Sequence, residues 1–251
     1  MKPVIVRNIR IGEGIPKICV PIVGRNREEI LQEGENLLSV QADLAEWRVD
    51  FYQHSDSKER AVETAGLLRK VLGDIPLLFT FRSRGEGGEK EISWEYYREL
   101  NLAAASSGFV DLVDVEAFFH KIPARELIEE LHRAGVKVIG SNHDFNKTPN
   151  QDEMIKRLKE IRELGADIPK IAVMPNSPGD VLTLLSATLK VAESGMDCPI
   201  ITMSMGKDGM VSRISGGTFG SALTFGTVGK ASAPGQIPVK ELREMLEILK
   251  G

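Results

Sequence analysis

The chain has 251 residues, of which 42% are hydrophobic and 27% charged, as is typical of one soluble globular domain and of the usual length of an α/β barrel. Its net charge of −4 gives no reason to expect nucleic acid or a membrane as a partner. No apolar stretch approaches the roughly 18 residues of a membrane-spanning helix, and residues 1–14 lack the apolar core of an export signal. A cytoplasmic location is therefore expected.

Strand-like and helix-like segments alternate along the whole chain. Residues 4–11 predict a short β-hairpin. Strands are then predicted at residues 17–23, 43–49, 76–82, 110–116, 136–143, 170–174, 199–205 and 221–228. Helices are predicted at residues 27–40, 58–72, 94–106, 124–134, 151–164, 178–194 and 239–249, with only a short helical turn at residues 208–214.

This alternation predicts an α/β fold in which eight strand–helix units close into a (β/α)8 TIM barrel. Residues 1–251 are predicted to form a single barrel domain, with the short N-terminal β-hairpin closing one end. The competing interpretation is an open doubly wound sheet, which would carry a glycine-rich dinucleotide fingerprint after its first strand. Residues 23–28 read VGRNRE at that point, so the barrel is favoured.

A lysine lies at the start of the predicted sixth strand, in the segment GADIPKIAVMP of residues 165–175. Burial at this position would disfavour the charged ammonium form of Lys170, and a neutral amine is the nucleophile that forms imines with carbonyl substrates. Taken alone, the segment favours the simpler interpretation that Lys170 extends to the surface. The polar residues at the other predicted strand ends reverse that preference and favour a buried, catalytic Lys170.

A barrel enzyme carries its active site at the C-terminal ends of its strands. The polar and apolar side chains predicted there are Glu46, Arg48, Asp50, Arg82, Glu86, Asp114, Glu116, Ser141, Asn142, His143, Asp144, Lys170, Met203, Ser204, Met205, Arg213 and Phe225, with residues 230–236 in the last loop. Any one of them has a structural explanation, such as an Arg82–Glu116 ion pair. Because burying so many ionisable groups together is costly unless function requires it, the set predicts an active site.

An amine beside an imidazole suits a ketone substrate. Lys170 would form an iminium that acidifies the adjacent C–H bond, and His143 would transfer the protons and protonate a leaving hydroxide. Glu86 could orient His143, and Arg213 is suited to bidentate capture of a carboxylate. Glu46, Arg48 and Arg82 offer donors and acceptors for several hydroxyls. These residues predict a lyase that acts on a polyhydroxylated keto-acid.

No metal and no other cofactor is expected. His54, His120, His132 and His143 lack a metal-binding spacing, and the two cysteines, Cys19 and Cys198, are typical of core residues in a reducing compartment. Glycines 216 and 217 could hold a phosphate, which leaves Schiff-base phosphosugar aldolases open as an alternative. A non-catalytic barrel that binds a small acid is the second alternative.

Six motifs together resemble type I 3-dehydroquinate dehydratase: EWRVD (46–50), LLFTFRS with EGGE (77–89), SNHDFNKTP (141–149), GADIPKIAVMP (165–175), PIITMSM (199–205) and SAPGQ (232–236). They follow one another in order along nearly the full chain, which makes the resemblance specific. The family implies a (β/α)8 barrel, commonly a homodimer, that converts 3-dehydroquinate to 3-dehydroshikimate without a metal. It does so through a lysine imine with syn loss of water, as the third step of the shikimate pathway to chorismate and aromatic amino acids.

The resemblance also implies roles for particular residues. Lys170 corresponds to the imine lysine, His143 to the proton-transfer histidine and Glu86 to its acidic partner. Arg213, Ser232 and Gln236 correspond to binders of the carboxylate and neighbouring hydroxyls, Glu46, Arg48 and Arg82 to ring-hydroxyl contacts, and Met203, Met205 and Phe225 to an apolar wall. Residues 229–238 correspond to a lid. Pro21 stands where some members carry serine, which removes a possible hydroxyl contact.

Overall fold

The computed structural model describes residues 2–119, 124–229 and 232–250. A short antiparallel hairpin, β1 (Val4–Val6) and β2 (Ile9–Ile11), precedes the main sheet. The main sheet contains β3 (Lys17–Ile22), β4 (Leu44–Arg48), β5 (Leu77–Thr80), β6 (Leu112–Glu116), β7 (Lys137–Asp144), β8 (Ile168–Val173), β9 (Ile201–Ser204) and β10 (Leu223–Thr227).

These eight strands are parallel and close into a barrel. From β3 to β9, each strand pairs with the next along the chain, and β10 pairs with β3. A parallel bridge between Ile200 and Ser221 joins the start of β9 to the start of β10, and the Ala222 amide donates to the Ile200 carbonyl at 2.8 Å. The predicted (β/α)8 barrel with its N-terminal hairpin is confirmed.

Eight helices surround the barrel: α1 (Arg27–Leu38), α2 (Lys58–Leu72), α3 (Trp94–Ser106), α4 (Ala124–Arg133), α5 (Gln151–Glu163), α6 (Pro178–Glu193), α7 (Gly206–Ser215) and α8 (Val239–Lys250). Several begin at a side chain that accepts a hydrogen bond from a free amide of the first turn, at Asn26, Ser57, Ser93, Asn150 and Ser177. In the described part of the chain, no helix is both long and apolar enough to cross a membrane.

Apolar side chains fill both sides of the sheet, as expected for parallel strands covered on both faces. One cluster packs the helices against the outer face of the strands, around Trp47, Phe79 and Leu158. The second fills the barrel, where Cys19, Leu44, Leu78, Leu112, Ile139, Ile168 and Leu223 meet Val6 and Ile11 of the hairpin. The hairpin thus closes the end at which the strands begin, and the other end is left for the site.

Several elements are shorter than predicted by one or two residues at an end, and three others differ in kind or position. The predicted helical turn at residues 208–214 is a complete helix, α7, in which Gly209 packs so closely on Ser204 that a Cβ there would lie 2.4 Å from its carbonyl. The main sheet has a ninth strand that was not predicted, β11 (Ile237–Pro238), which pairs with β10. Strand β8 begins at Ile168, two residues before the predicted start, so Pro169 lies inside the strand.

Candidate active site

One pocket at the C-terminal end of the barrel brings together all twelve residues to which the family resemblance assigns a catalytic or substrate-binding role. Its lining is Glu46, Arg48, Arg82, Glu86, Gly87, His143, Phe145, Lys170, Ala172, Met203, Met205, Arg213, Phe225, Ser232, Ala233 and Gln236. The space between these residues measures about 440 Å³, including its open mouth. The lining combines charged groups with an apolar surface formed by Met203, Met205 and Phe225.

Lys170 is buried in the barrel, with 3% of its surface exposed. Its Nζ lies 3.5 Å from Asp114 Oδ2 and 4.6 Å from the centre of the Phe225 ring. A carboxylate and an aromatic face both stabilise an ammonium group. Asp114 is therefore a counter-ion beside Lys170, which the sequence did not predict. The same groups would stabilise any cation formed on Nζ.

His143 and Glu86 form a hydrogen-bonded pair at the edge of the pocket. Glu86 Oε2 lies 2.9 Å from His143 Nδ1 and accepts from the His143 amide at 3.0 Å. Burial, reinforced by the cations Arg82 and Lys170, lowers the pKa of His143 well below its ordinary value, so its imidazole is neutral at pH 7. With Nδ1 directed at Glu86, Nε2 is the nitrogen left to act on a bound substrate.

Two of the pocket arginines are held by buried carboxylates. Arg48 donates from Nε and NH2 to both oxygens of Asp50, each at 2.9 Å, so its partner is Asp50 and not Glu46. Arg82 donates to Asp114 at 2.7 Å and to Glu116 at 3.0 Å, which gives the Arg82–Glu116 pair considered from sequence. Arg82 is thereby fixed, with much of its donor capacity used within the protein.

Arg213 differs from these arginines because no carboxylate in the described part of the chain pairs with it. Its NH2 donates to the Pro234 carbonyl at 3.0 Å and NH1 lies 3.6 Å from Met203 Sδ. Its Nε is buried with no hydrogen-bond partner among the described residues. Burial lowers the pKa of Arg213 to about 10, which leaves it cationic at pH 7. A buried cation without a counter-ion is suited to bind an anion.

The loop after β10 brings the last two predicted residues to the pocket. The Ser232 amide donates to Gln236 Oε1 at 2.9 Å, and Gln236 Nε2 donates to Ser232 Oγ at 3.1 Å. The Pro234 carbonyl accepts from the Gly206 amide at 3.2 Å as well as from Arg213, so the loop is tied to α7. Lys230 and Ala231 of the predicted lid lie outside the described residues, as does His120 of the four histidines.

Sequence reasoning identified the strand ends but gave no role to Asp114, Ser141 or Asn142. Asp114 is fully buried, accepts from Ser141 Oγ at 2.6 Å and faces Lys170. Burial alone would raise the pKa of Asp114, but the positive charges of Arg82 and Lys170 hold it below its usual value. Asn142 donates to Glu86 Oε1 at 3.1 Å. The sequence feature that could have identified these three residues was their position near the ends of the strands β6 and β7.

The glycines considered for phosphate lie at the opposite end of the barrel. Gly216–Phe219 is a 3-10 turn that leads from α7 towards the start of β10, and Gly217 lies against the ring of Pro16, just before β3. A phosphate there could not belong to a ligand bound at Lys170, which disfavours the phosphosugar alternative. Among residues 2–119, 124–229 and 232–250, no group of three or more His, Cys, Asp or Glu side chains could hold a metal ion.

Known proteins of one family resemble this chain over its whole length. The family model of type I 3-dehydroquinase matches residues 18–251. A 3-dehydroquinate dehydratase of Klebsiella pneumoniae is 53% identical over 246 residues, with 98% of each chain covered. The type I 3-dehydroquinate dehydratase of Clostridium difficile, solved with covalently modified comenic acid, has a TM-score of 0.95 at 51% identity, covering 100% of this chain and 99% of that one. The Geobacillus kaustophilus 3-dehydroquinate dehydratase has a TM-score of 0.96 at 41% identity, with 99% and 96% covered.

Proposed function

The chain belongs to the type I 3-dehydroquinase family, and from this membership we propose that it dehydrates 3-dehydroquinate to 3-dehydroshikimate through an imine on Lys170. The observation that supports this most directly is the position of Lys170, buried in the same pocket as the neutral imidazole of His143 and as Arg213, which pairs with no carboxylate of the described residues. Those three groups match the three demands of the substrate: a ketone, an acidic C–H bond and a carboxylate.

The proposed reaction begins when Lys170 passes one proton to His143 and its Nζ adds to the ketone carbon. The carbonyl oxygen then takes up that proton and one from the nitrogen and leaves as water, which gives an iminium. Asp114, 3.5 Å from Nζ, would stabilise the positive charge on that nitrogen. Nε2 of His143 then removes the proton next to the iminium carbon, and the electron pair of that C–H bond is delocalised into the iminium as an enamine.

The second half of the reaction returns that proton. The hydroxyl on the second carbon from the iminium carbon takes up that proton from His143 and leaves as water. It leaves from the same face of the ring, and a conjugated iminium forms. Attack of water on that iminium releases 3-dehydroshikimate and restores the Lys170 amine. Glu86 holds His143 through Nδ1 at 2.9 Å during these transfers.

We assign substrate binding to the remaining pocket residues. Arg213 would bind the carboxylate, assisted by Ser232 and Gln236. Glu46, Arg48 and Arg82 would contact the ring hydroxyls, while Met203, Met205 and Phe225 cover the ring. Fixed salt bridges at Arg48 and Arg82 keep these donors in place before the substrate binds. The loop at residues 232–236 would then close over the ligand.

Borohydride reduction in the presence of 3-dehydroquinate tests the proposal. A stable adduct mapped to Lys170, together with the absorbance of the conjugated product in an unreduced sample, is the expected result. The absence of both an adduct and turnover would contradict the proposal, and phosphosugar ketones would then be the next substrates to examine.

Replacing Arg213 with alanine is expected to raise KM for 3-dehydroquinate about 100-fold with a smaller change in kcat, because roughly 3 kcal/mol of charge-assisted hydrogen bonding to the carboxylate is lost. Steady-state kinetics measure the effect. The Arg213→Lys variant keeps the charge without the planar pair of donors, so its KM should lie between those of the wild type and Arg213→Ala. An unchanged KM would contradict the assignment of the carboxylate to Arg213.

We further propose that residues 1–251 fold as one domain that acts as a cytoplasmic homodimer on the third step of the shikimate pathway. Strands β3 to β11 belong to one sheet, and the β1–β2 hairpin packs against the inside of the barrel, which supports the single domain. Light scattering at several protein concentrations would measure the oligomeric state, and a monomer throughout would contradict the dimer.

A further inference from the structure

Asn142 connects the His143–Glu86 pair to a cation outside the barrel. Its Nδ2 donates to Glu86 Oε1 at 3.1 Å, and its Oδ1 accepts from Arg157 NH1 on α5 at 3.0 Å. Arg157 is itself held by Glu153, through a bond of 2.8 Å from Nε. A guanidinium can only donate, so the amide orientation of Asn142 is fixed by its neighbours. The amide is polarised so that its N–H group favours a negative charge on Glu86.

Opposing influences act on the Glu86 carboxyl. Burial and the nearby carboxylate of Glu116 raise its pKa to about 8, against the effects of Arg82 and of the Asn142 hydrogen bond. The charged or titratable groups around the Glu86–His143 pair are Arg48, Arg82, Glu91, Asp114, Glu116, Arg157 and Lys170. A second cavity, lined by Ile92, Phe118 and Phe119, also reaches Glu86, Asn142 and His143. Protons can therefore exchange with solvent from that side.

The ionisation of Glu86 decides which nitrogen of His143 carries the proton. An ionised carboxylate can only accept, so Nδ1 must be protonated and Nε2 has a free lone pair facing the substrate. A neutral Glu86 can instead donate a proton from Oε2 to Nδ1, and Nε2 is then the protonated nitrogen and cannot act as a base. Only the first of these two states can remove the substrate proton.

We propose that Asn142 is a positioning residue that, together with Arg157, favours the ionised form of Glu86 and so the His143 tautomer that acts as the base. This role rests on the dehydratase function proposed above. The alternative is that Asn142 only attaches α5 to β7. That alternative predicts an effect on stability or on activity that does not depend on pH.

The test is the pH dependence of kcat/KM for the Asn142→Ala variant. Loss of one charge-assisted hydrogen bond should move the acidic limb to higher pH by about one unit. Activity should then fall about tenfold at a pH below the limb and recover to near the wild-type value above it. Asn146→Ala is the matched control, since it makes the same substitution at an exposed residue of the following loop. It should leave the limb in place.

Arg157→Gln provides a second variant because this side chain is partly exposed and its loss does not open the barrel. It should shift the limb in the same direction by a smaller amount. An equal loss at every pH, or an unmoved limb in both variants, would overturn the proposal.

A spectroscopic measurement separates this proposal from the dehydratase function. Nitrogen NMR of the imidazole, assigned by comparison with a His143→Gln sample, needs no substrate. At a pH between the wild-type and variant limbs, the wild type should carry its proton on Nδ1, and Asn142→Ala should shift the population towards Nε2. Identical tautomers would overturn the role of Asn142 even if the wild type dehydrates 3-dehydroquinate. A tautomer shift in a protein that does not turn over 3-dehydroquinate would refute the function and leave the coupling in place.

Discussion

Replacing Lys170 with methionine is expected to lower kcat by at least about 10,000-fold, because without an amine there is no iminium to acidify the substrate C–H bond. Methionine keeps an apolar stem of similar length in the barrel. Asp114 keeps its bonds to Arg82 and Ser141, at 2.7 and 2.6 Å, so its charge stays paired when the ammonium is lost. The absorbance of the conjugated product measures turnover, and titration calorimetry measures whether substrate still binds.

Two controls make the Lys170 result specific. Lys207→Met removes an exposed lysine of α7 and should leave both turnover and the borohydride-trapped adduct intact. Thermal unfolding should show that the Lys170 variant is folded. If it binds substrate and retains most of its turnover, the imine mechanism is wrong, and general acid–base catalysis by His143 alone would have to explain the activity.

The barrel could be predicted because its signals are local. Each parallel strand is a short apolar run, each is followed by a helix with an apolar face, and side chains such as Ser177 with Asp180 mark where helices begin. The strand ends also fix which residues meet. Once the strands close, Lys170 on β8 and His143 on β7 must face one pocket, although 27 positions separate them.

What could not be predicted depends on contacts between distant segments. Helix α7 contains glycines that lower helix propensity, and one of them, Gly209, packs closely against Ser204 of β9. Strand β11 is two residues long and forms by pairing with β10, from which it is separated along the chain. The partners of the buried carboxylates could not be predicted either. The strand ends place Asp114 and Glu116 at the same end of the barrel as Arg82, but only the three-dimensional structure shows that Asp114 also faces Lys170.

Replacing His143 with alanine is expected to lower kcat by about 1,000-fold, within the range for loss of a general acid–base group. The neutral imidazole, held by Glu86 at 2.9 Å, is the one base proposed here for the C–H bond. Lys170 is untouched, so the covalent adduct should still form and then accumulate. Borohydride reduction followed by intact-mass measurement identifies the stalled species, which retains the elements of water if the block precedes elimination.

The mass of that species decides the role of His143. A trapped adduct heavier by one water than the product adduct places the block at proton removal, whereas accumulation of the product adduct places it at imine hydrolysis. His132→Ala removes a histidine that pairs with Asp167 on the surface, 2.7 Å away, and should behave as wild type. Near-normal turnover of the His143 variant would contradict its role as the base. Because Glu86 and Asn142 are argued to act through this imidazole, that result would also remove the basis for their effects on catalysis.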